Sequence, residues 1–326
     1  MYDSMMIDDD NDIQNSIDYM TKSHLRNVMQ LAIFTTTGDK FYAINISKIQ
    51  SFLIKEEVEI LKSPTDSEYI VGMINIRGDI VSIVDFDSWV GEESKPEEQR
   101  IIIVCNYNQK KIGIIVKEIV RIEEKSSDEL RVPDGGDAKI SYVTSVKIKE
   151  NSKKEKMCIV FDAEKLLYDA NSGDDTSKTT IYDIDSFELK DNDFKIDSNK
   201  LVLIAEDSHI VIEKLREFFK KLELNFMIYE NGEDLINRIK TLEPSEIGLV
   251  ITDIEMPIRN GYQVIKYIKQ DSIYANVPVI SLTSMTNRGV YDKITQLGAI
   301  DLVNKSDLET LHRYIKDILL GDGHDY

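Results

Sequence analysis

The stretch Gly248-Leu249-Val250-Ile251-Thr252-Asp253-Ile254-Glu255-Met256-Pro257-Ile258-Arg259-Asn260-Gly261 decides the fold of the C-terminal half. It reads as a short apolar strand, Gly248–Thr252, that stops on a carboxylate, Asp253. Upstream, Leu201–Ala205 is a second short apolar run, as a strand buried on both faces requires. After it, Val211, Leu215, Phe218 and Leu222 mark one face of a helix, with Ser208 placed as its N-cap. Asn225–Tyr229 is the next strand and Gly232–Thr241 the next helix. Downstream, Val277–Leu282 and Ala299–Val303 are strands. Tyr262, Ile265 and Ile268 mark an intervening helix, and Leu311, Ile315 and Ile318 the last one. Strands alternating with helices predict an α/β doubly wound parallel sheet, with right-handed crossovers placing helices on both faces.

In such a sheet the site lies at the carboxyl ends of the strands. The polar residues there are Glu206 and Asp207, Asp253, Thr283 and Ser284, then Asn304 and Lys305. Three converging carboxylates repel one another and resist ionising together. A hard divalent cation such as Mg²⁺, which takes oxygen ligands at ~2.1 Å, resolves that repulsion. Each residue alone has a structural explanation: a helix cap, a strand end, a surface charge. Their joint placement at four strand ends does not.

The set resembles the receiver domain of two-component response regulators, a flavodoxin-like fold. Glu206-Asp207-Ser208 is similar to the family's acidic pair after the first strand, and Asp253 with the following Met256-Pro257 and Gly261 to its phospho-acceptor motif. Pro278–Thr283 is similar to its fourth strand, and Lys305 follows Thr283 at a family-typical spacing of 22 residues. The resemblance implies phosphoryl transfer from a phosphohistidine to the Asp253 carboxylate. It implies Mg²⁺ held by Glu206, Asp207, Asp253 and the backbone carbonyl of Glu255, with Lys305 balancing charge and Thr283 reporting the phosphoryl group. Two positions depart from the family pattern. Ser306 stands where a proline is usual, and Leu302 where the switch aromatic is usual, which leaves Thr283 and the fourth-strand face to carry the signal. Asp253-x-Glu255 also lacks the Asp-x-Asp of haloacid-dehalogenase-type enzymes.

The N-terminal half reads differently. Leu31–Thr35 and Phe41–Ile46 flank Thr37-Gly38-Asp39, a hairpin pattern, and Tyr42, Ile44 and Ile46 alternate as in a half-buried strand. Ile80–Val84, Arg100–Cys105, Lys111–Val116 and Lys156–Phe161 follow, with Asn106–Gln109 as a turn. Short β-branched strands at this spacing predict an all-β barrel or paired barrels. No zinc ligand set, P-loop or dinucleotide fingerprint occurs. Cys105 and Cys158 lie in apolar runs and read as buried structural thiols.

The segment Gly72-Met73-Ile74-Asn75-Ile76-Arg77-Gly78-Asp79-Ile80-Val81-Ser82-Ile83-Val84-Asp85 resembles the signature of CheW, the chemotaxis coupling protein family. Phe41–Ile49, Ile112–Ile119 and Ile159–Leu167 are similar to other segments of that family. The resemblance implies two SH3-like five-stranded barrels with binding surfaces and no active site. It implies partners, the histidine kinase CheA and the cytoplasmic tips of chemoreceptors, and an interface at Asn75, Arg77 and Gly78. A CheW-like domain followed by a receiver is similar to the CheV-type coupling proteins. The expectation is therefore a coupling scaffold, not an enzyme, modulated by phosphorylation at Asp253. The alternative is a phosphoryl sink for CheA anchored by its first domain.

The chain has 326 residues and a formal charge of −19. That balance argues against a nucleic-acid binder, and no apolar run approaches the ~20 residues that span a bilayer. A cytoplasmic protein associated with receptor arrays is expected. The charge is uneven: residues 1–20 carry −6 and residues 169–199 another −6, while 21–168 carry −2 and 200–326 carry −5. The two acidic segments are poor in large apolar residues and read as a tail and a linker. The expected domains are 21–168 and 200–326. The near-neutral β-rich partner domain also argues against a transcriptional regulator, which needs a basic output domain.

Overall fold

The computed structural model describes residues 28–62, 68–107, 110–133, 137–147, 154–171, 200–284 and 288–320. The expected acidic tail and the linker beyond residue 171 lie outside the described residues.

The N-terminal domain is built of strands β1 (Val28–Thr35), β2 (Phe41–Asn45), β3 (Ile49–Ile54), β4 (Ile70–Ile76), β5 (Asp79–Asp85), β6 (Ile101–Tyr107), β7 (Lys110–Val116), β8 (Glu118–Ser126), β9 (Ile140–Lys147) and β10 (Glu155–Phe161). A short helix α1 (Phe86–Trp89) follows β5, and α2 (Ala163–Asn171) follows β10. They form two five-stranded sheets, ordered β8-β1-β2-β10-β9 and β3-β6-β7-β5-β4. The chain starts in the first sheet, builds the second as an insertion, and returns.

Strand periodicity explains how two barrels share one core. Leu31, Ile33 and Ala43 point into the first barrel with Cys158 and Val160. Their neighbours Ala32, Phe34, Tyr42 and Ile44 point the other way, into a core shared with Ile103, Cys105 and Ile114 of the second barrel. Both faces are buried, so these strands lack the polar–apolar alternation of an exposed sheet. Phe34, Tyr42, Phe86, Trp89 and Phe161 pack edge to face at the centre, with centroids 4.9 Å apart for Phe34–Phe86 and Phe86–Phe161. The Trp89 indole Nε1 donates to Asp169 Oδ2 at 3.0 Å, and Ala170 is buried, so α2 belongs to this domain through Asn171. The helix therefore runs three residues into the segment expected to be linker. The expected turn at Asn106–Gln109 is also narrower, because Asn106 and Tyr107 still pair with Lys111 and Lys110.

The C-terminal domain comprises β11 (Leu201–Ala205), α3 (His209–Lys221), β12 (Phe226–Tyr229), α4 (Gly232–Ile239), β13 (Ile247–Thr252), α5 (Gly261–Gln270), β14 (Val279–Thr283), α6 (Arg288–Gln296), β15 (Asp301–Asn304) and α7 (Leu308–Leu320). The sheet is parallel throughout, ordered β12-β11-β13-β14-β15. Val202, Ile204, Leu249 and Ile251 pack under α3 and α7, while Leu203 and Val250 pack under α4 and α5. The chain order reverses between β11 and β13, and the crevice there is where such sheets bind ligands.

Helix α2 of the first domain packs against α3 of the second, so one buried cluster runs from Leu166 and Leu167 into Val211, Leu215 and Phe218.

Candidate functional site

Each acidic group follows directly from a strand. Glu206 and Asp207 leave β11, and the Glu206 amide donates to the Tyr229 carbonyl at 2.9 Å. Asp253 leaves β13, its amide donating to the Ala205 carbonyl at 2.9 Å. These bonds continue the sheet one residue past its edge and fix both carboxylates beside the switch point. Carboxylate oxygens of Glu206, Asp207 and Asp253 lie within 4.8 Å of one another. Asp253 Oδ1 accepts from the Ile254 amide at 2.6 Å, leaving Oδ2 directed at the site. Gly261 explains its place in the motif: a Cβ there would press on the Asp253 carbonyl oxygen and lie 2.9 Å from Ile254 Cα. Only glycine allows α5 to start so close under the acidic loop.

Lys305 follows β15, and its amide donates to the Thr283 carbonyl at 3.0 Å, tying together the ends of β14 and β15. Its ammonium sits 2.9 Å from Glu206 Oε1 and 3.0 Å from Asp253 Oδ2. Thr283 ends β14 and is fully buried, with Ser284 partly buried beside it. Glu206, Asp207, Asp253 and Lys305 are thus brought together, while the Asn304 side chain accepts from Ser306 instead.

Burial pushes the Glu206 carboxyl well above the usual range, against the pull of Lys305. Burial and the Asp253 charge push Asp207 up to about 7. Glu206 Oε2 is buried with no hydrogen-bond partner among the described residues. Crowded hard oxygen donors and one unpartnered buried carboxylate oxygen fit a divalent cation such as Mg²⁺. Glu255, whose carboxyl is raised by burial, sends its side chain to the crevice between the two domains.

The structure adds residues that the sequence did not reveal, all from the N-terminal domain. The Tyr142 hydroxyl, on β9, donates to Asp207 Oδ2 at 2.8 Å. The Ser208 hydroxyl donates across the interface to Asp162 Oδ2 at 2.9 Å. Ser208 thus stands at the N-cap position of α3 without capping it through its side chain. Asp162 in turn accepts the Lys165 amide with its other oxygen and caps α2. Glu164, on α2, reaches Lys305 with Oε1 at 3.7 Å and Lys48 with Oε2 at 3.0 Å. Burial opposes the Glu164 charge, but Lys48 and Lys305 outweigh it and hold the carboxyl down at about 2. Lys48 and Glu164 both fall in segments resembling the CheW family, yet no local pattern marks a partner more than a hundred residues away.

Asn75, Arg77 and Gly78 are not part of this site. They form the tip of the β4–β5 hairpin and are exposed. Arg77 (φ 51°) and Gly78 (φ 97°) are the two central residues of the turn, the type I′ pattern, and Asn75 Oδ1 accepts the Gly78 amide at 2.8 Å. An arginine in the left-handed region costs about 1 kcal/mol or more relative to glycine. Ile80, beside the turn, is an exposed apolar residue (62% exposed), and the same sheet exposes Val71, Phe52 and Ile54 elsewhere. Cys105 and Cys158 are buried free thiols, each pushed up to about 12 by burial, as the structural reading required.

The chain matches the CheW-like domain family over residues 30–171 and the response regulator receiver domain family over residues 202–316. Among relatives, it is 28% identical to chemotaxis protein CheV2 of Helicobacter pylori over 93% of this chain and 98% of that one. It is 27% identical to CheV1 of the same organism over 93% and 97% of the two chains. It is 27% identical to the chemotaxis protein CheW of Klebsiella aerogenes, over 43% of this chain and 82% of that one. The chain therefore joins a CheW-like domain to a response regulator receiver domain, the CheV-type architecture.

Proposed function

We propose that this chemotaxis signalling protein couples chemoreceptor tips to the histidine kinase CheA through its CheW-like domain, and that phosphorylation of Asp253 adjusts that coupling. The observation that carries the reading is the Asp253 carboxylate. It follows a central strand, faces a buried lysine at 3.0 Å, and belongs to a receiver domain joined to a CheW-like domain. Its roles follow from position. Asp253 Oδ2 is the attacking oxygen. Lys305 lies where it balances charge on the transferred group, and Thr283 ends the neighbouring strand, where its hydroxyl reports the new phosphoryl oxygens. Glu206, Asp207, Asp253 and the Glu255 carbonyl would hold Mg²⁺, which would offset the charge of the phosphoryl oxygens. The chain itself supplies positioning.

The exposed Arg77 hairpin is the proposed receptor or kinase surface. A fork of donors on a tight turn beside the exposed Ile80 has the makeup of an interface anchor. Among the described residues no helix is long and apolar enough to cross a membrane. The reading places the protein on the cytoplasmic side, held to the array through its partners. The sink alternative makes the first domain a passive anchor; direct contact of that domain with Asp207 and Lys305 favours the coupler.

The test is phosphotransfer from radiolabelled phospho-CheA. Wild type is expected to accept label and Asp253→Ala to accept none. Equal labelling of the variant overturns the assignment.

A further inference from the structure

We infer that the CheW-like domain acts as an intramolecular lid on the phospho-acceptor site, and that docking of this lid and phosphorylation of Asp253 exclude one another. The inference deepens the reading of Asp253 as the acceptor and rests on it.

The lid is made of three side chains that reach the acidic site from outside the receiver. Tyr142 occupies an oxygen of Asp207. Asp162 takes the hydroxyl of Ser208. Glu164 lies 3.7 Å from the Lys305 ammonium, the group that must face phosphoryl oxygens after transfer. A carboxylate from the partner domain thus stands on the lysine that the new anion needs. Lys48 completes the line Lys48–Glu164–Lys305–Asp253, in which cations and anions alternate. Add a phosphoryl group to Asp253, and Glu164 faces a more highly charged anion in place of the carboxylate across the shared lysine. That repulsion in a buried setting disfavours the docked arrangement.

Access points the same way. In-line transfer needs the acceptor oxygen open to a donor. Here Glu206 is 0%, Lys305 1% and Asp253 4% exposed. The crevice beside Asp207, Lys48 and Glu255 measures about 20 Å³. That admits about one water molecule, and no histidine of a second protein. The docked arrangement is therefore closed to the kinase, and the domains must part before transfer. Once phosphorylated, the parted arrangement is the one retained. Release frees the β2–β3 turn around Ser47 and Lys48, Tyr142 and the start of α2, while the Arg77 hairpin is exposed in either state.

The experiment uses the full chain with acetyl phosphate and Mg²⁺ as phosphodonor. It compares wild type, Glu164→Gln and Lys48→Met. Spin labels on Met157→Cys and Asp292→Cys report the interdomain distance, since the native thiols are buried. Wild type is expected to show one short, narrow distance that lengthens and broadens when donor is added. Both variants are expected to be open without donor and to label at least about tenfold faster. Unchanged labelling rates and distances in both variants overturn the proposal. So does phosphorylation of wild type at the docked distance. If no form takes up phosphoryl while both variants still open, the lid stands and the assignment of Asp253 falls instead.

Discussion

Lys305→Met removes a cation that touches two buried carboxylates directly, with Glu164 farther off at 3.7 Å. Its ammonium lies 2.9 Å from Glu206 Oε1 and 3.0 Å from Asp253 Oδ2, and the side chain is 1% exposed. At an effective dielectric of about 20, each contact near 3 Å is worth roughly 5 kcal/mol of gross Coulomb energy. Most of that offsets desolvation of the three charges. What is lost on truncation is the penalty for leaving carboxylates buried without a partner, about 3–5 kcal/mol. The Glu206 carboxyl is already pushed up by burial, so it takes a proton readily and holds the loss near the lower figure. The expected cost is about 3 kcal/mol, read by urea unfolding in metal-free buffer as an earlier receiver transition. Because two domains are present, the receiver transition is followed separately from the Trp89 fluorescence of the β-rich domain. The double variant Lys305→Met/Glu206→Gln removes one stranded carboxylate and is expected to recover at least about 1 kcal/mol. A loss below about 1 kcal/mol for the single variant, with no recovery in the double, refutes the charge argument.

Other consequences follow from single contacts. Gly261→Ala forces a Cβ against the Asp253 backbone; it is expected to cost about 2–3 kcal/mol in thermal unfolding and to slow phosphotransfer at least tenfold. Trp89→Phe loses the indole bond to the Asp169 carboxylate, and urea titration of the β-rich domain is expected to show a loss of about 2 kcal/mol. Arg77→Ala leaves the hairpin and stability within about 0.5 kcal/mol but is expected to abolish recruitment in a receptor pull-down, since Arg77 is exposed. Cys105 and Cys158, with thiols pushed up to about 12, are expected to resist iodoacetamide at pH 8 in the folded chain and to react fully in urea, as mass spectrometry reads.

The receiver half was legible because its strands are buried on both faces. Leu201–Ala205 and Ile247–Thr252 are buried, largely apolar runs, and the residue after each is one of the site acids, Glu206 and Asp253. Helix α6 was not recognised, since it buries only Ile294 and offers little apolar face to read. In the β-rich half, β8 gives little strand signal because Glu118–Ser126 is an edge strand with five acidic or basic residues among its nine and only Lys125 buried. The strand-end acids and Lys305 could be gathered on one site from topology alone. Lys48, Tyr142, Asp162 and Glu164 could not. Tyr142, Asp162 and Glu164 meet partners in the other domain, Lys48 meets Glu164 from far along the chain, and no periodicity encodes a contact that tertiary packing creates. Leu302, in the place of the usual aromatic, packs against the α4–α5 side of the receiver core rather than at an exposed face.

The coupling claim is tested most directly in reconstituted arrays of receptor and CheA with this protein as the sole coupling component. Kinase activity is measured with and without prior phosphorylation by acetyl phosphate, for wild type and Asp253→Ala. The account predicts that both forms support receptor-controlled kinase activity, and that the donor changes it in wild type alone. Failure to couple at all, or the same donor response in Asp253→Ala, contradicts it.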